Sequence, residues 1–163
     1  MSSTVYLSDL ARMIQGGNAP HAREAIAAFV GGRLWSVSPD RFESYLCVAD
    51  DAAEAMHDGE YFHEVKANDR WTADRVTTMR GELFGWCPLE VVPAGDAARV
   101  TLELPRPTDE EAEGLPRIGG SYDLTALDAA VAGALGLSAA DLANPAATNI
   151  LDGGMLWSWE AVV

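Results

Sequence analysis

Apolar residues in the first third of the chain recur at helical spacing. Leu7, Leu10, Ala11 and Ile14 fall at i, i+3, i+4 and i+7 and stop at Gly16–Gly17, which predicts a first helix. Asn18 can cap a second, Pro20 fits its first turn, and Ala22, Ile26, Phe29 and Val30 form its apolar stripe up to Gly31–Gly32. The two together predict an N-terminal helical hairpin. "RLWSV" (33–37) then alternates as a strand does. Ser38–Pro39 opens a predicted third helix with Phe42, Leu46 and Ala49 on one face. The competing reading makes "YLCV" a short strand and "DDAAEAM" a separate helix.

The middle of the chain changes period. "EYFHEVK" and "DRVTTMRGELFGW" alternate, the second with Gly81 and Gly85 as bends. "LEVV", a Pro-Ala-Gly-Asp turn and "ARVTLEL" spell a β-hairpin. Residues 105–117, proline-bounded and acidic, read as an exposed surface loop. Asp123 can cap a helix carrying Leu124, Leu127, Val131 and Leu135. Ser138 to Asp141 resembles a capping box for a short helix that Asn144–Pro145 would stop. A turn at Asp152–Gly153–Gly154 leads to a last strand, with Met155, Trp157, Trp159 and Ala161 on one face. The expectation is α+β: a single acidic domain over 1–163, with the N-terminal helical hairpin and further helices packed on one antiparallel β-sheet.

Charge narrows the function. The 163 residues carry 25 Asp and Glu against 11 Lys and Arg, a formal net charge of −14. Such a surface repels nucleic-acid phosphates and anionic membranes and attracts basic proteins. No direct nucleic-acid or membrane binding is therefore expected; imitation of a nucleic acid is compatible with such a surface. The densest run holds Asp40, Glu43, Asp50, Asp51, Glu54, Asp58, Glu60 and Glu64 against the single base Arg41. These eight acids, with Trp157 and Trp159, are the candidate partner-binding residues, the tryptophans as an aromatic platform of the kind enriched at interfaces. The competing reading puts both tryptophans in the sheet's core.

Catalytic signals are sparse. "HDGEYFHE" gathers His57 and His63 with Asp58, Glu60 and Glu64, but on a strand His63 and Glu64 point to opposite faces, and the spacing of a helical zinc motif is missing. No nucleophile elbow, phosphate-binding loop or dinucleotide fingerprint is present. Cys47 and Cys87, in "YLCVA" and "FGWCPL", read as small core hydrophobes. No catalytic residue, metal ligand or cofactor is assigned. The start, "MSSTVYLSDL", lacks a secretory pattern and the longest apolar stretch falls short of a membrane span, so a cytoplasmic protein is expected.

The leading expectation is a non-enzymatic acidic domain that inhibits a partner by occluding a basic site, as an immunity protein or phage-type inhibitor does. One rival is a small metal-assisted enzyme using His57, His63 and nearby carboxylates. Another is a homodimeric chaperone or assembly factor using "MLWSWEAVV" as an edge or interface.

Overall fold

The computed structural model describes residues 2–15, 21–39, 44–56, 71–150 and 153–163. Strand β1 (Ser2–Tyr6) leads into helices α1 (Leu7–Gln15) and α2 (Ala22–Val30), then strands β2 (Leu34–Pro39) and β3 (Tyr45–Val48) and a helical turn, α3, at 52–56. Next come strands β4 (Trp71–Leu83), β5 (Cys87–Ala94) and β6 (Ala97–Leu104), and the small hairpin β7 (Arg117–Ile118) and β8 (Ser121–Tyr122). Helix α4 (Leu124–Leu135) and strands β9 (Leu142–Asn149) and β10 (Met155–Ala161) close the chain.

The class is α+β, as the pattern predicts. Among the described residues eight strands share one sheet in the order β3-β2-β4-β5-β6-β10-β9, with β1 also pairing β4, and β7–β8 stands apart. β1 lies parallel to β4 and every other pair is antiparallel, which corrects the expected wholly antiparallel sheet. A parallel partner needs a long connection. Here two helices, two strands and α3 intervene between β1 and β4.

Alternation decides which side is covered. In register, Val91, Val100 and Trp159 make one inward rung and Leu89, Leu102 and Trp157 the next. Against this face pack Leu10 of α1, Ile26 and Phe29 of α2, and Leu127, Val131 and Leu135 of α4. The intervening rungs are polar: Glu90, Thr101 and Ser158 lie side by side, as do Arg99 and Glu160. A second cluster, Trp35, Val37, Ala49 and Ala55, seats α3 against β2 and β3.

Helix α4 ends as its sequence dictates. Asp123 accepts the Ala126 N–H at 3.3 Å, and Gly136 takes φ 72°, so that Leu137 N–H reaches Ala132 O at 2.8 Å and Gly136 N–H reaches Gly133 O at 3.1 Å. A Cβ on Gly136 would lie 2.7 Å from that of Ala22, which brings this end of α4 against the start of α2. Arg23 fastens the same corner to Asp141 at 2.9 Å. The Ser138 backbone N–H, with the Ser138 hydroxyl and Arg23 beside it, holds the Asp141 carboxyl below its usual range.

Three expectations are corrected. The third helix over 38–49 is replaced by the ends of β2 and β3, so "YLCV" is a strand and the helical turn comes later. The segment 105–117 is exposed over most of its length, with Pro105, Ala112 and Leu115 buried and a 3-10 turn over Glu110–Ala112. Asn144–Pro145 stops no helix; the capping box at Ser138 serves one 3-10 turn, and Asn144–Pro145 lies inside β9. α1 forms where expected, but α2 starts at Ala22 with His21, not Asn18, at its N-cap position; residues 16–20 and the segment "EYFHEVK", expected to be a strand, lie outside the described residues.

Candidate functional site

Of the eight predicted partner-binding acids, Asp50, Asp51 and Glu54 are described. Asp40, Glu43, Asp58, Glu60 and Glu64, with His57 and His63, lie outside the described residues. The three that are seen are exposed but engaged locally. Asp51 accepts the Glu54 N–H at 2.8 Å, Glu54 accepts the Asp50 N–H at 2.8 Å, and Arg33 donates to Asp50 at 2.8 Å. This is the N-terminal capping of α3, and it accounts for the acids by local structure.

The tryptophans divide. Trp159 is 1% exposed, and its indole N–H donates to Asp128 of α4 at 2.6 Å. Trp157 is half-buried and stacks on Trp159, with centroids 6.2 Å apart and planes at 26°. Its own Nε1 is buried without a hydrogen-bond partner among the described residues. As an exposed platform Trp159 is corrected: alternation turns it beneath α4, and it is core. β10 is also flanked by β6 and β9, so among the described residues it is not a sheet edge, one of the two ways the assembly-factor reading would use it.

The exposed aromatic surface lies elsewhere, at one end of the sheet. β4 and β5 join through a tight turn in which Phe84 (φ 56°) and Gly85 (φ 86°) are both left-handed and Trp86 N–H donates to Leu83 O at 3.2 Å. That twist suits a hairpin, but its first position is one that asparagine or glycine normally fills. Phe84 is 38% exposed and Trp86 47%. Tyr6, 64% exposed, pairs with Arg80 as β1 runs toward the same end. The sequence signal for this patch is the Phe-Gly-Trp run after a strand, which reads first as a mere bend.

Carboxylates crowd the same end. Since Leu89 pairs with Leu102, Cys87 and Leu104 share the end opposite the β5–β6 turn, and residues 105–117 leave from there. This segment is pinned. Tyr122 O–H donates to Pro105 O at 2.5 Å, Arg117 donates to Pro107 O, and Ala112 and Leu115 are buried beneath it. Burial first, then the proximity of Cys87, pushes the Tyr122 phenol up to about 12, offset in part by Arg117. Asp109, Glu110, Glu111 and Glu113 therefore stand exposed on a held backbone, with Glu103 beside them on β6. None of the five forms an ion pair among the described residues.

A cavity of about 730 Å³ opens where β1 turns into α1 beside the β4–β5 pair. Leu7, Leu89 and Pro88 supply apolar walls; Tyr6, Glu82 and Glu90 also line it. Arg80, the cation in its lining, is already paired to Glu90 at 3.2 Å. Glu82 is exposed and makes no ion pair among the described residues.

The Cys87 site does not favour a thiolate. Cys87 is fully buried, and burial pushes its thiol up to about 11, far from a reactive thiolate. In native protein near about pH 8, Cys87 is expected to react with a thiol reagent only as fast as the fold opens. Rapid labelling of Cys87 under those conditions, read by mass spectrometry, would refute its placement. Among the described residues no three His, Cys, Asp or Glu side chains converge to hold a metal, and no helix is long and apolar enough to cross a membrane. Comparison with protein-family models, curated proteins and solved structures returns no match to this chain.

Proposed function

We propose that this chain is a non-enzymatic, acidic protein-binding domain that inhibits a partner by occluding a basic site, as an immunity protein or phage-type inhibitor does. One observation carries the reading: Asp109, Glu110, Glu111 and Glu113, exposed and without an ion pair among the described residues, stand on a segment fastened by Tyr122, Arg117 and the buried Ala112 and Leu115, with Glu103 on β6 at the same end of the sheet. A disordered acidic tail loses backbone as well as side-chain entropy when it docks, whereas carboxylates on an already ordered backbone lose side-chain freedom alone. Their common sign accelerates encounter with a basic surface and disfavours acidic ones. A partner whose basic site normally takes phosphate groups would meet carboxylates instead, which makes nucleic-acid-handling proteins the favoured class of target. The fold is then a scaffold: helices α1, α2 and α4 stiffen one face of the sheet, and its end presents the charge.

The test is capture of partners on the immobilised chain, washed in parallel at low salt and at about 0.5 M salt, where charges more than a few ångströms apart are largely screened. A stoichiometric basic protein that releases at high salt and loses activity when bound is the expected result. A complex indifferent to salt, or a bound partner that keeps its full activity, would sink the proposal.

A further inference from the structure

We infer that the cavity beside Tyr6 and the β4–β5 turn is the socket for one lysine or arginine side chain of the basic partner. The inference rests on the docking function proposed above and adds where the anchor sits. Three features point to a cationic, amphipathic occupant. The walls contributed by Leu7, Pro88 and Leu89 suit the aliphatic stem of a long basic side chain. The cation in the lining, Arg80, is committed to Glu90, so Glu82 is left to meet an incoming charge. Exposed aromatic faces stand at the rim and at the neighbouring turn: Tyr6, Phe84 and Trp86. A guanidinium or ammonium group stacks favourably on such faces. Charge complementarity extends beyond the socket, because the carboxylates of 103–113 lie at the same end of the sheet.

Phe84 adds a cost that folding does not require. At φ 56°, followed by Gly85 at φ 86°, it occupies the first centre of a turn that asparagine would fill without strain. An aromatic side chain kept there, and partly exposed, is one the fold itself has little use for. It stands in the β4–β5 turn, two residues beyond Glu82 of the cavity's lining.

The probe is a short peptide of alternating arginine and leucine, titrated at low salt into isotope-labelled protein and followed through backbone amide shifts. The expected result is saturable shifts concentrated at residues 6–8 and 80–90. Glu82→Lys is expected to weaken binding about tenfold, and Glu82→Gln, which keeps the shape, about threefold. Phe84→Asn, which suits the left-handed turn, is expected to keep the thermal midpoint while weakening the peptide. Shifts centred elsewhere on the acidic surface would overturn the socket while leaving the docking function standing. No shifts anywhere at low salt would overturn both. Binding of an arginine derivative lacking peptide bonds on either side, as tightly as the peptide, would make this a small-molecule site and overturn the protein anchor.

Discussion

Trp159→Ala is expected to destabilise the fold by about 4 kcal/mol, within the range for emptying a large aromatic site in a core. The side chain is 1% exposed, sits in register with Val100, and stacks on Trp157. Truncation removes that area and leaves a void under α4 that the sheet cannot close by itself. It also strips Asp128 of the indole N–H at 2.6 Å, a contact that ties α4 to β10. Trp159→Phe separates these effects. It keeps most of the volume but not the donor, and since Asp128 is only half-buried and can turn to water, about 1 kcal/mol is expected. Urea unfolding of both variants measures this. A domain of this size has a total of about 5–15 kcal/mol to lose, so the alanine variant is expected to be visibly weakened at ambient temperature. A cost below about 1 kcal/mol for the alanine variant would contradict the core placement and restore the exposed-platform reading of this residue.

What the sequence made legible follows from where local and tertiary preferences agree. β5 and β6 alternate cleanly about a Gly-Asp turn, α4 carries its own cap and its own glycine stop, and β10 has four inward residues at period two. Each of these was readable because pattern, turn and cap point one way. Tyr45–Val48 was ambiguous because Phe42, Leu46 and Ala49 also fit a helical face; pairing with β2 and the Trp35 N–H on Ala49 O, 2.9 Å, decide for the strand. β9 was illegible. "LANPAATN" has almost no β-forming residue, and it is a strand because β10 offers it an edge. Even Pro145 is accommodated: the register shifts between Ser158 and Glu160, and Asn144 at φ 53° makes the bulge in which a proline's missing N–H costs nothing. β1 escaped notice because "SSTVY" shows no alternation, and its pairing partner lies some seventy residues on.

The acidity of the chain is legible in the sequence, whereas which carboxylates stand free is not. Net charge announced an acidic surface, but sequence density is a poor guide to which carboxylates are available. Asp50, Asp51 and Glu54 stand in the densest run and are occupied with capping α3 and holding Arg33. The segment 105–117 reads as a surface loop and is mostly exposed; what its prolines and acids hide is the burial of Pro105, Ala112 and Leu115. Free, held carboxylates are a property of the folded backbone.

That contrast gives the functional prediction with the largest effect. Changing Asp109, Glu110, Glu111 and Glu113 to lysine is expected to slow association with the basic partner about a hundredfold at low salt. Because these side chains are exposed and unpaired among the described residues, thermal stability should change little. The slowing alone would not locate the effect, since four such changes alter the net charge of the whole molecule. The matched control replaces Asp50, Asp51, Glu54 and Asp96 with lysine, an equal change in net charge. Asp96 stands in the β5–β6 turn, at the other end of the sheet. If the held segment steers the encounter, the first set slows association far more than the second, and the gap closes as salt rises. The second set should instead lower stability by about 1–2 kcal/mol, because it removes the caps of α3. Stopped-flow association at two salt concentrations, with unfolding curves for each variant, reads both quantities. Equal slowing from the two sets would mean that total charge acts without a preferred face, and the end of the sheet would lose its claim as the docking surface.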